Sequence, residues 1–480
     1  MDVRLSEVLA ALSHALDITE GQPRGHAERT CLIAMRVARR LGLDDATRGA
    51  LFHAALLKDA GCSSNAAKVA HLYGADDAGA KRDRKVTDHL RPAESLKHLY
   101  RSTAPGRGPI AKAKHLKLLV EHGSSGSRDL TELRCERGAM VARDIGLSSV
   151  AEAAIRELDE HWDGKGYPYS LEGEQISLCG RILCLAQTAE VYWQDGGGAA
   201  GAVAVAKERR GTWFDPQVVD ALAACEDDHA FWATLDRPRV GSVEPADRLL
   251  LADDDGLDRI AHAFAGIVDA KTPYTARHSE GVAEIAAALG AALGLDALQR
   301  RRLTRAGLLH DIGKLGVSNR ILDKPGKLDD AEWAAVRRHP LWTLEILERI
   351  PAFADLADVA ANHHEKLDGS GYARGLSAAD LTTEARILVV ADIAEALTAD
   401  RPYREPLPVG KVLDIMSGDV PHALDAGVFA HLPPILAARA GAGVTPDAEA
   451  FAPRSGAPTT APAPTARSAS TSTTPARAAS

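Results

Sequence analysis

The chain has few aromatic residues, since phenylalanine, tryptophan and tyrosine together make up 4% of its 480 residues. Alanine and leucine are plentiful instead, which favours packed helices over a β-rich fold. No run of 18 or more apolar residues is present to cross a membrane, and the first residues lack the apolar core of a signal peptide. The sequence therefore predicts an all-α, cytoplasmic protein with no membrane contact.

Basic residues (57) are fewer than acidic residues (66), and the chain has six cysteines. The formal net charge is −9 at pH 7, so no general attraction to nucleic acid exists and DNA binding is not expected. All six cysteines lie in the first half, and none forms a Cys-x-x-Cys pair. We expect reduced, buried thiols in place of disulfides or a zinc knuckle.

The second half of the chain, in contrast, is rich in potential metal ligands. Five histidines and two aspartates are spread over separate segments: His278, His310, Asp311, His339, His363, His364 and Asp392. Imidazole and carboxylate together hold first-row transition ions, and five imidazoles argue against magnesium, which prefers oxygen ligands. The spacing is similar to that of a two-metal hydrolase centre, where two ions neutralise a phosphodiester and activate water.

The sequence around these ligands resembles the HD-GYP family, helical phosphodiesterases of the HD superfamily that open cyclic di-GMP. The matching segments are 269–279, 310–316, 321–328, 363–372 and 391–404. The resemblance covers about residues 260–440 and implies an HD-domain helical bundle.

For the metal centre, the resemblance implies that Asp311 bridges two divalent transition-metal ions, iron or manganese. It assigns His278, His310 and Asp392 to one ion, and His339, His363 and His364 to the other. Some relatives hold a third ion through a glutamate four residues before the first histidine. Tyr274 occupies that position here, so two ions are expected.

For the substrate, the resemblance implies that Lys314 points a cation at the phosphate, beside Asp311 as the second catalytic residue. Arg401, Arg404 and Tyr372 match substrate-binding positions, with guanidinium groups suited to phosphate or a guanine edge. The alternatives are a surface lysine, an exposed charge cluster and a tyrosine that only packs its loop. Two positions depart from the family pattern. Ala373 replaces a proline, and Glu395 replaces an aspartate without a mechanistic consequence that the sequence reveals.

The first half of the chain repeats the second. Residues 55–63 read like 307–315 at an offset of 252, and 163–168 read like 368–373 at an offset of 205. The first copy therefore carries about 47 extra residues, placed between 64 and 130. Most ligands are replaced in it, by Lys58, Arg134, Leu158, Asp159 and Gln187. His26 and Asp59 remain, and we expect them to be hydrogen-bonded relics in a copy that holds no metal pair.

These observations predict two tandem HD-domain helical bundles with a disordered tail. The predicted parts are a degenerate regulatory or structural domain (1–240), a linker (241–259), a phosphohydrolase domain (260–440) and a low-complexity tail (441–480). Apolar periodicity predicts helices at 281–294 and 331–350, with Asp329-Asp330 capping the second of these. Residues 386–397 are nearly all apolar, and their length and alanine content favour a buried helix over a strand, as the family resemblance also implies.

The leading functional hypothesis is a metal-dependent phosphodiesterase that hydrolyses cyclic di-GMP, with either linear pGpG or GMP as the final product. A nucleotide-sensing regulatory protein without catalysis is one alternative. An HD phosphohydrolase acting on another nucleotide or phosphate is the other. Besides cyclic di-GMP, a diguanylate cyclase, other signalling proteins and a second copy of the chain are the partners considered.

Overall fold

The computed structural model describes residues 3–87, 92–106, 108–246, 250–272, 277–400 and 405–441. These ranges are mostly helical, which confirms the all-α prediction. The strands within them are two short ones, β1 (Val3–Arg4) and β2 (Leu251–Ala252), which pair antiparallel. None of the helices in this described part is long and apolar enough to span a membrane.

Twelve helices belong to the described residues before 240. They are α1 (Leu5–Thr19), α2 (His26–Arg40), α3 (Asp45–Leu57), α4 (Ala66–Tyr73), α5 (Asp77–Val86), α6 (Pro92–Ser102), α7 (Pro109–Ile145), α8 (Ser149–Arg156), α9 (Leu178–Tyr192), α10 (Gly198–Glu208), α11 (Pro216–Ala223) and α12 (His229–Ala233).

Eleven more follow in the described residues after β2. They are α13 (Asp254–Asp269), α14 (His278–Ala292), α15 (Ala297–Leu309), α16 (Asn319–Leu322), α17 (Asp330–Val336), α18 (His339–Leu347), α19 (Ala354–Ala361), α20 (Thr383–Thr398), α21 (Val409–Ser417), α22 (Ala426–Ala430) and α23 (Leu432–Gly441). A 3-10 helix at Ile312–Gly316 follows α15. The segment predicted as a linker includes β2 and the first turns of α13.

Local sequence accounts for the helix boundaries near the predicted ligands. Asp329 caps α17 and forms a capping box with Glu332, as its position in the sequence predicted. The helix predicted over 331–350 is wrong as one element, because it divides into α17 and α18. Pro340 lies in the first turn of α18, where its missing N–H and its ring prevent a helix from continuing through. The predictions for 281–294 and 386–397 are confirmed by α14 and α20.

Helix bounds recur between the two halves at the two sequence offsets. The bounds of α2 and α3 become those of α14 and α15 when 252 is added, and those of α8 become those of α19 when 205 is added. α9 and α20 begin 205 residues apart. Packing also recurs, since α2 lies against α3 and α9 just as α14 lies against α15 and α20. The predicted insert contains α4, α5, α6 and the first part of α7.

The described residues up to 437 form one compact unit, and residues 438–441 are assigned to a second. The predicted tail (441–480) lies outside the described residues beyond Gly441. The hydrophobic core of the first unit contains side chains from both halves of the chain, such as Leu12, Phe52, Phe264 and Leu388, all with 0% exposure. All six cysteines are buried, which confirms the prediction of buried thiols.

Candidate metal centre

Asp311 lies between two groups of histidines. It follows the C-terminal end of α15 and is 1% exposed. Its Oδ2 is 3.3 Å from His310 Nε2 and 3.6 Å from His278 Nε2. Its Oδ1 is 3.3 Å from His339 Nε2 and 3.5 Å from His363 Nε2. Each carboxylate oxygen of Asp311 therefore faces a different pair of imidazoles.

The seven predicted ligands come together from five segments of the chain. His278 begins α14, His310 follows α15, His339 begins α18, His363 and His364 follow α19, and Asp392 lies within α20. Two trios have ligand atoms within 4.8 Å of one another: His278, His310 and Asp392, and His339, His363 and His364. These trios have the same members as the two sets that the sequence predicted.

Hydrogen bonds to the outer ring nitrogens orient most of these imidazoles. The Nδ1 atoms of His310, His339 and His363 lie 2.7, 2.6 and 2.6 Å from the carbonyl oxygens three residues earlier in the chain. In each case Nδ1–H donates to the carbonyl, so Nε2 is left with a lone pair that points at the centre. His364 differs, because its Nδ1 faces Asp392 Oδ2 at 3.7 Å.

His278 is held by a residue to which sequence reasoning assigned no role. Its Nδ1 hydrogen-bonds the carboxylate of Glu395, one helical turn after Asp392 on α20. The Nε2 of the same ring then lies 3.3 Å from Asp392 Oδ1. The first half carries the same pair. His26 lies 252 residues before His278, Glu190 lies 205 residues before Glu395, and the two hydrogen-bond each other. The retention of both residues in the first half is therefore a sequence signal for the role of Glu395.

The charges of these groups depend on one another. Burial raises the pKa of Asp311, but the neighbouring His310 and Lys314 charges outweigh it and hold the pKa well below its usual range. Burial lowers the pKa of His363 to about 4 and that of His364 well below its ordinary value. Burial also lowers the pKa of His278, but the Glu395 and Asp392 carboxylates outweigh it and hold that pKa well above its ordinary value. Burial likewise lowers the pKa of His310, but the Asp311 charge outweighs it and raises that pKa. The centre therefore combines ionised carboxylate and neutral His363 and His364 with two rings, His278 and His310, that would each release a proton on binding a metal.

The donor set fits a metal centre. Imidazole nitrogens with carboxylate oxygens suit divalent transition ions. His310 Nε2 is fully buried and makes no hydrogen bond of ordinary geometry with the described residues, although a buried ring nitrogen normally has a partner. A metal ion coordinated there would satisfy it.

Two predicted substrate residues lie beside this centre. Lys314 Nζ is 2.5 Å from Asp311 Oδ2. The ring of Tyr372 lies 4.6 Å from that of His364, between centroids, and the Arg337 guanidinium is 5.4 Å from the Tyr372 ring. Sequence reasoning missed Arg337, an exposed cation at the end of α17. The remaining predicted positions, Arg401, Arg404 and Tyr274, lie outside the described residues.

The corresponding positions of the first half carry ion pairs. The Lys58 ammonium contacts the Asp59 carboxylate, and His26 hydrogen-bonds Glu190, which confirms that the two retained residues have hydrogen-bond partners. Glu20, Asp59 and Cys62 also lie close enough to hold an ion. Burial raises the pKa of Cys62 well above its ordinary value, and the Lys58 charge opposes a cation, so this trio suits a metal poorly.

Comparison with known proteins extends the likeness to nearly the whole chain. The profile of the HD-domain family matches residues 116–218 and 262–428. The chain is 41% identical to 3′3′-cGAMP-specific phosphodiesterase 3 of Vibrio cholerae over 432 residues, 89% of this chain and 94% of that protein. A crystal structure of the cyclic GMP-AMP specific phosphodiesterase V-cGAP3 from V. cholerae is similar at a TM-score of 0.61 and 37% identity. That match covers 93% of this chain and 99% of that one.

A cyclic di-GMP phosphodiesterase of Pseudomonas aeruginosa is 38% identical over 169 residues, which are 34% of this chain and 41% of that protein. The relatives are thus named for two cyclic dinucleotides, and the one that matches nearly the whole chain is named for 3′3′-cGAMP. The chain belongs to the HD-GYP family of HD-domain phosphodiesterases.

Proposed function

We propose that the chain is a metal-dependent phosphodiesterase that hydrolyses a cyclic purine dinucleotide, with 3′3′-cGAMP as its preferred substrate. The placement of Asp311 between two trios of ligands is the observation that carries the catalytic part. The proposed substrate preference is based on the V. cholerae relative that matches 89% of the chain and is named for 3′3′-cGAMP. Cyclic di-GMP, the substrate expected from the sequence, is the second candidate because the P. aeruginosa relative is named for it.

The cofactors in this proposal are two divalent ions, iron or manganese. His278, His310 and Asp392 would hold one, and His339, His363 and His364 the other, with one oxygen of Asp311 for each. Bound there, the ions would supply Lewis acidity toward the phosphodiester and toward water.

The remaining work falls to side chains around the centre. Lys314, next to Asp311, places a cation where it attracts a substrate phosphate and opposes the growing negative charge on its oxygens. Tyr372 offers a ring face beside His364 against which a base can lie. Arg337 adds an exposed cation on the same side. Arg401 and Arg404 are proposed to bind the substrate phosphate or guanine edge, as the family resemblance implies.

For the first half, we infer a degenerate copy of the same domain that has lost catalysis. The recurring helix bounds and the separate profile match to residues 116–218 support this inference. The Lys58–Asp59 pair supports it from the chemical side, because an ammonium group stands where the second half has His310.

The test compares hydrolysis of 3′3′-cGAMP and cyclic di-GMP by anaerobically purified protein loaded with iron or manganese. Metal content is measured on the same samples, and the linear and mononucleotide products are separated chromatographically. Asp311→Ala is the inactivating variant, and Asp59→Ala, at the corresponding position of the first half, is its matched control. We expect turnover and metal to be lost in the first variant and retained in the second.

Three results would contradict parts of the proposal. Faster turnover of cyclic di-GMP would reverse the substrate preference. No turnover despite two bound ions would indicate another phosphate substrate. No turnover together with no bound metal would favour the non-catalytic nucleotide sensor.

A further inference from the structure

A cavity of about 170 Å³ lies in the first half of the chain, away from the candidate metal centre. Its walls come from α4, α5, α7 and α9, from the segment 159–167 and from Trp213. The α4 and α5 walls belong to the insert that the second half lacks. The cavity is therefore a feature of the first half, built partly from residues with no counterpart in the second.

The cavity occupies the place that the metal centre has in the second half. Four of its lining residues are Arg134, Asp159, Tyr167 and Gln187. Adding 205 to their numbers gives His339, His364, Tyr372 and Asp392, three predicted ligands and the predicted substrate tyrosine. Replacing the ligands has thus left a cavity where an active site would be.

The charged groups around this cavity are paired with one another. Arg134 forms an ion pair with Asp159, and Lys58 forms one with Asp59. Lys165 Nζ is 3.0 Å from an oxygen of Asp163. Lys81 and Glu20 also line the cavity, and Lys81 Nζ lies 3.5 Å from an Asp77 oxygen and 3.9 Å from Glu20 Oε1. Because each of these cations already faces a carboxylate, the described lining residues leave no unpaired cation suited to a bare phosphate.

Uncharged polar atoms on the walls, in contrast, lack partners. Asn65 and Gln187 are each 7% exposed, and Trp213 is 9% exposed. Asn65 Oδ1, Gln187 Oε1, Trp213 Nε1 and His161 Nδ1 are buried and have no hydrogen-bond partner within the described part of the chain. The amide nitrogens of Asn65 and Gln187 donate to the Leu130 and Leu158 carbonyls at 3.1 and 3.4 Å, which directs their oxygens away from those carbonyls. Such atoms are costly to bury unless something hydrogen-bonds them.

Aromatic rings form another part of the wall. The His161 ring stacks on Trp213 with centroids 4.2 Å apart and planes 21° apart, and the Arg209 guanidinium is 4.0 Å from the Trp213 ring. Tyr73 and Tyr167 also line the cavity. A ligand that matches these walls is flat, uncharged in its buried part, and polar along more than one edge.

We propose that this cavity binds the base of a purine nucleotide, as a second nucleotide site separate from the metal centre. A purine supplies donors for the two amide oxygens and an acceptor for the indole N–H on different edges of one ring system. Its faces stack on aromatic side chains, an interaction worth about 1–3 kcal/mol per base. The ribose and phosphate lie outside the cavity, on the side where the Lys165 side chain is 63% exposed to solvent.

The test measures binding of GMP, AMP and CMP to the full chain by isothermal titration calorimetry, after chelation of metals. These mononucleotides contain no phosphodiester, so the result does not depend on whether the protein hydrolyses cyclic dinucleotides. We expect one GMP or AMP per chain, with CMP at least tenfold weaker. Trp213→Phe, Gln187→Leu and Asn65→Leu should each weaken the purine at least tenfold, whereas Gln217→Leu, which changes an exposed amide on α11, should not.

Circular dichroism checks that each variant is folded. If one of the three variants misfolds, the other two still test the proposal. Absence of purine binding at millimolar concentration would overturn the proposal. The polar atoms of the cavity wall would then be hydrogen-bonded by water molecules. Binding that is equal in the wild type and in the correctly folded variants would also overturn it, because the nucleotide would then lie elsewhere.

Discussion

The orientation of four of the five imidazoles at the metal centre is set by what the outer ring nitrogen contacts. Three rings donate an Nδ1–H hydrogen bond to a backbone carbonyl three residues earlier in the chain. This hydrogen bond depends on the local backbone conformation and not on the identity of another side chain. His278 instead depends on one side chain, Glu395, which is 6% exposed. A carboxylate behind a ligating histidine fixes the ring and raises the basicity of the inner nitrogen. Glu395 is therefore a positioning residue for His278.

Replacing Glu395 should weaken metal binding more than it weakens the fold. We expect Glu395→Gln to lower metal affinity about 10- to 100-fold, because a neutral amide is a poorer partner for Nδ1–H. Glu395→Asp keeps the charge and should recover most of that loss. The measurement is metal content after dialysis against a chelator series, together with the thermal midpoint.

Glu190→Gln is the matched control for this change, since Glu190 makes the same contact to His26 in the first half and also pairs with Arg29. It should lower the thermal midpoint and leave the metal content unchanged. Equal metal loss in the two glutamine variants would show that the effect is general destabilisation.

His161 provides a prediction about pH. Burial lowers its pKa to about 4, so the ring stays neutral in the folded chain at pH 5 to 7. The unfolded chain takes up a proton on this ring near pH 6.5. The contribution of His161 to stability is therefore complete above pH 6.5 and is lost as pH falls toward 4. We expect the ring-proton resonance of His161, assigned by its absence in His161→Gln, to titrate below pH 5. A midpoint near 6.5 would contradict the burial of this ring.

Among the elements, apolar periodicity was enough to predict α14, and length with alanine content was enough to predict α20. The cap at Asp329 gave the start of α17 but not its end. The break between α17 and α18 is caused by Pro340. The apolar pattern continues across this proline, so it predicted one helix over 331–350. For the site, the ligand types and their two trios followed from the motif, whereas the roles of Glu395 and Arg337 did not. Both roles depend on which helices pack together. The retention of His26 and Glu190 in the first half is a sequence signal for the role of Glu395, whereas no such signal accompanies Arg337.

Gly313 shows how closely two of these elements approach. A Cβ at this position would lie 2.0 Å from the His339 carbonyl oxygen and 2.8 Å from the Thr343 backbone nitrogen. The 3-10 helix after Asp311 therefore contacts α18 backbone to backbone. Gly61 makes the corresponding approach in the first half, with a Cβ position 1.8 Å from the Arg134 carbonyl oxygen.

Gly313→Ala should separate the 3-10 helix from α18 and move Asp311 away from His339. We expect at least a tenfold loss of activity and metal, and a destabilisation of about 1–3 kcal/mol from overpacking. Gly61→Ala should cost similar stability without loss of metal per folded chain. Thermal unfolding and metal analysis of both variants check this, and full metal occupancy in Gly313→Ala would contradict it.

In the molecule as a whole, the first half supports the second through several contacts. β1 pairs with β2, and Leu5 N donates to Leu250 O at 2.8 Å. α1 packs against the 3-10 helix at Ile312–Gly316 and against α18, and α7 packs against α13. The Asn319 backbone N–H donates to Asp77 Oδ1 at 3.1 Å, from an aspartate of the insert. The elements that hold Asp311 and His339 thus lie directly against the first half.

Removing residues 1–249 should therefore damage the metal centre even though all seven ligands remain. The fragment 250–441 exposes the apolar faces that α1 and α7 cover, and burial of such faces contributes roughly 25 cal/mol per Å² to folding. We expect the fragment to aggregate or to bind less than half of the metal that the full chain retains. Residues 1–441, which lack only the C-terminal segment, are the control and should keep metal content and thermal midpoint. A monodisperse fragment with full metal occupancy would show instead that the second half is an independent folding unit. In that case the first half would influence the metal centre only through a ligand bound to it, such as the proposed purine nucleotide.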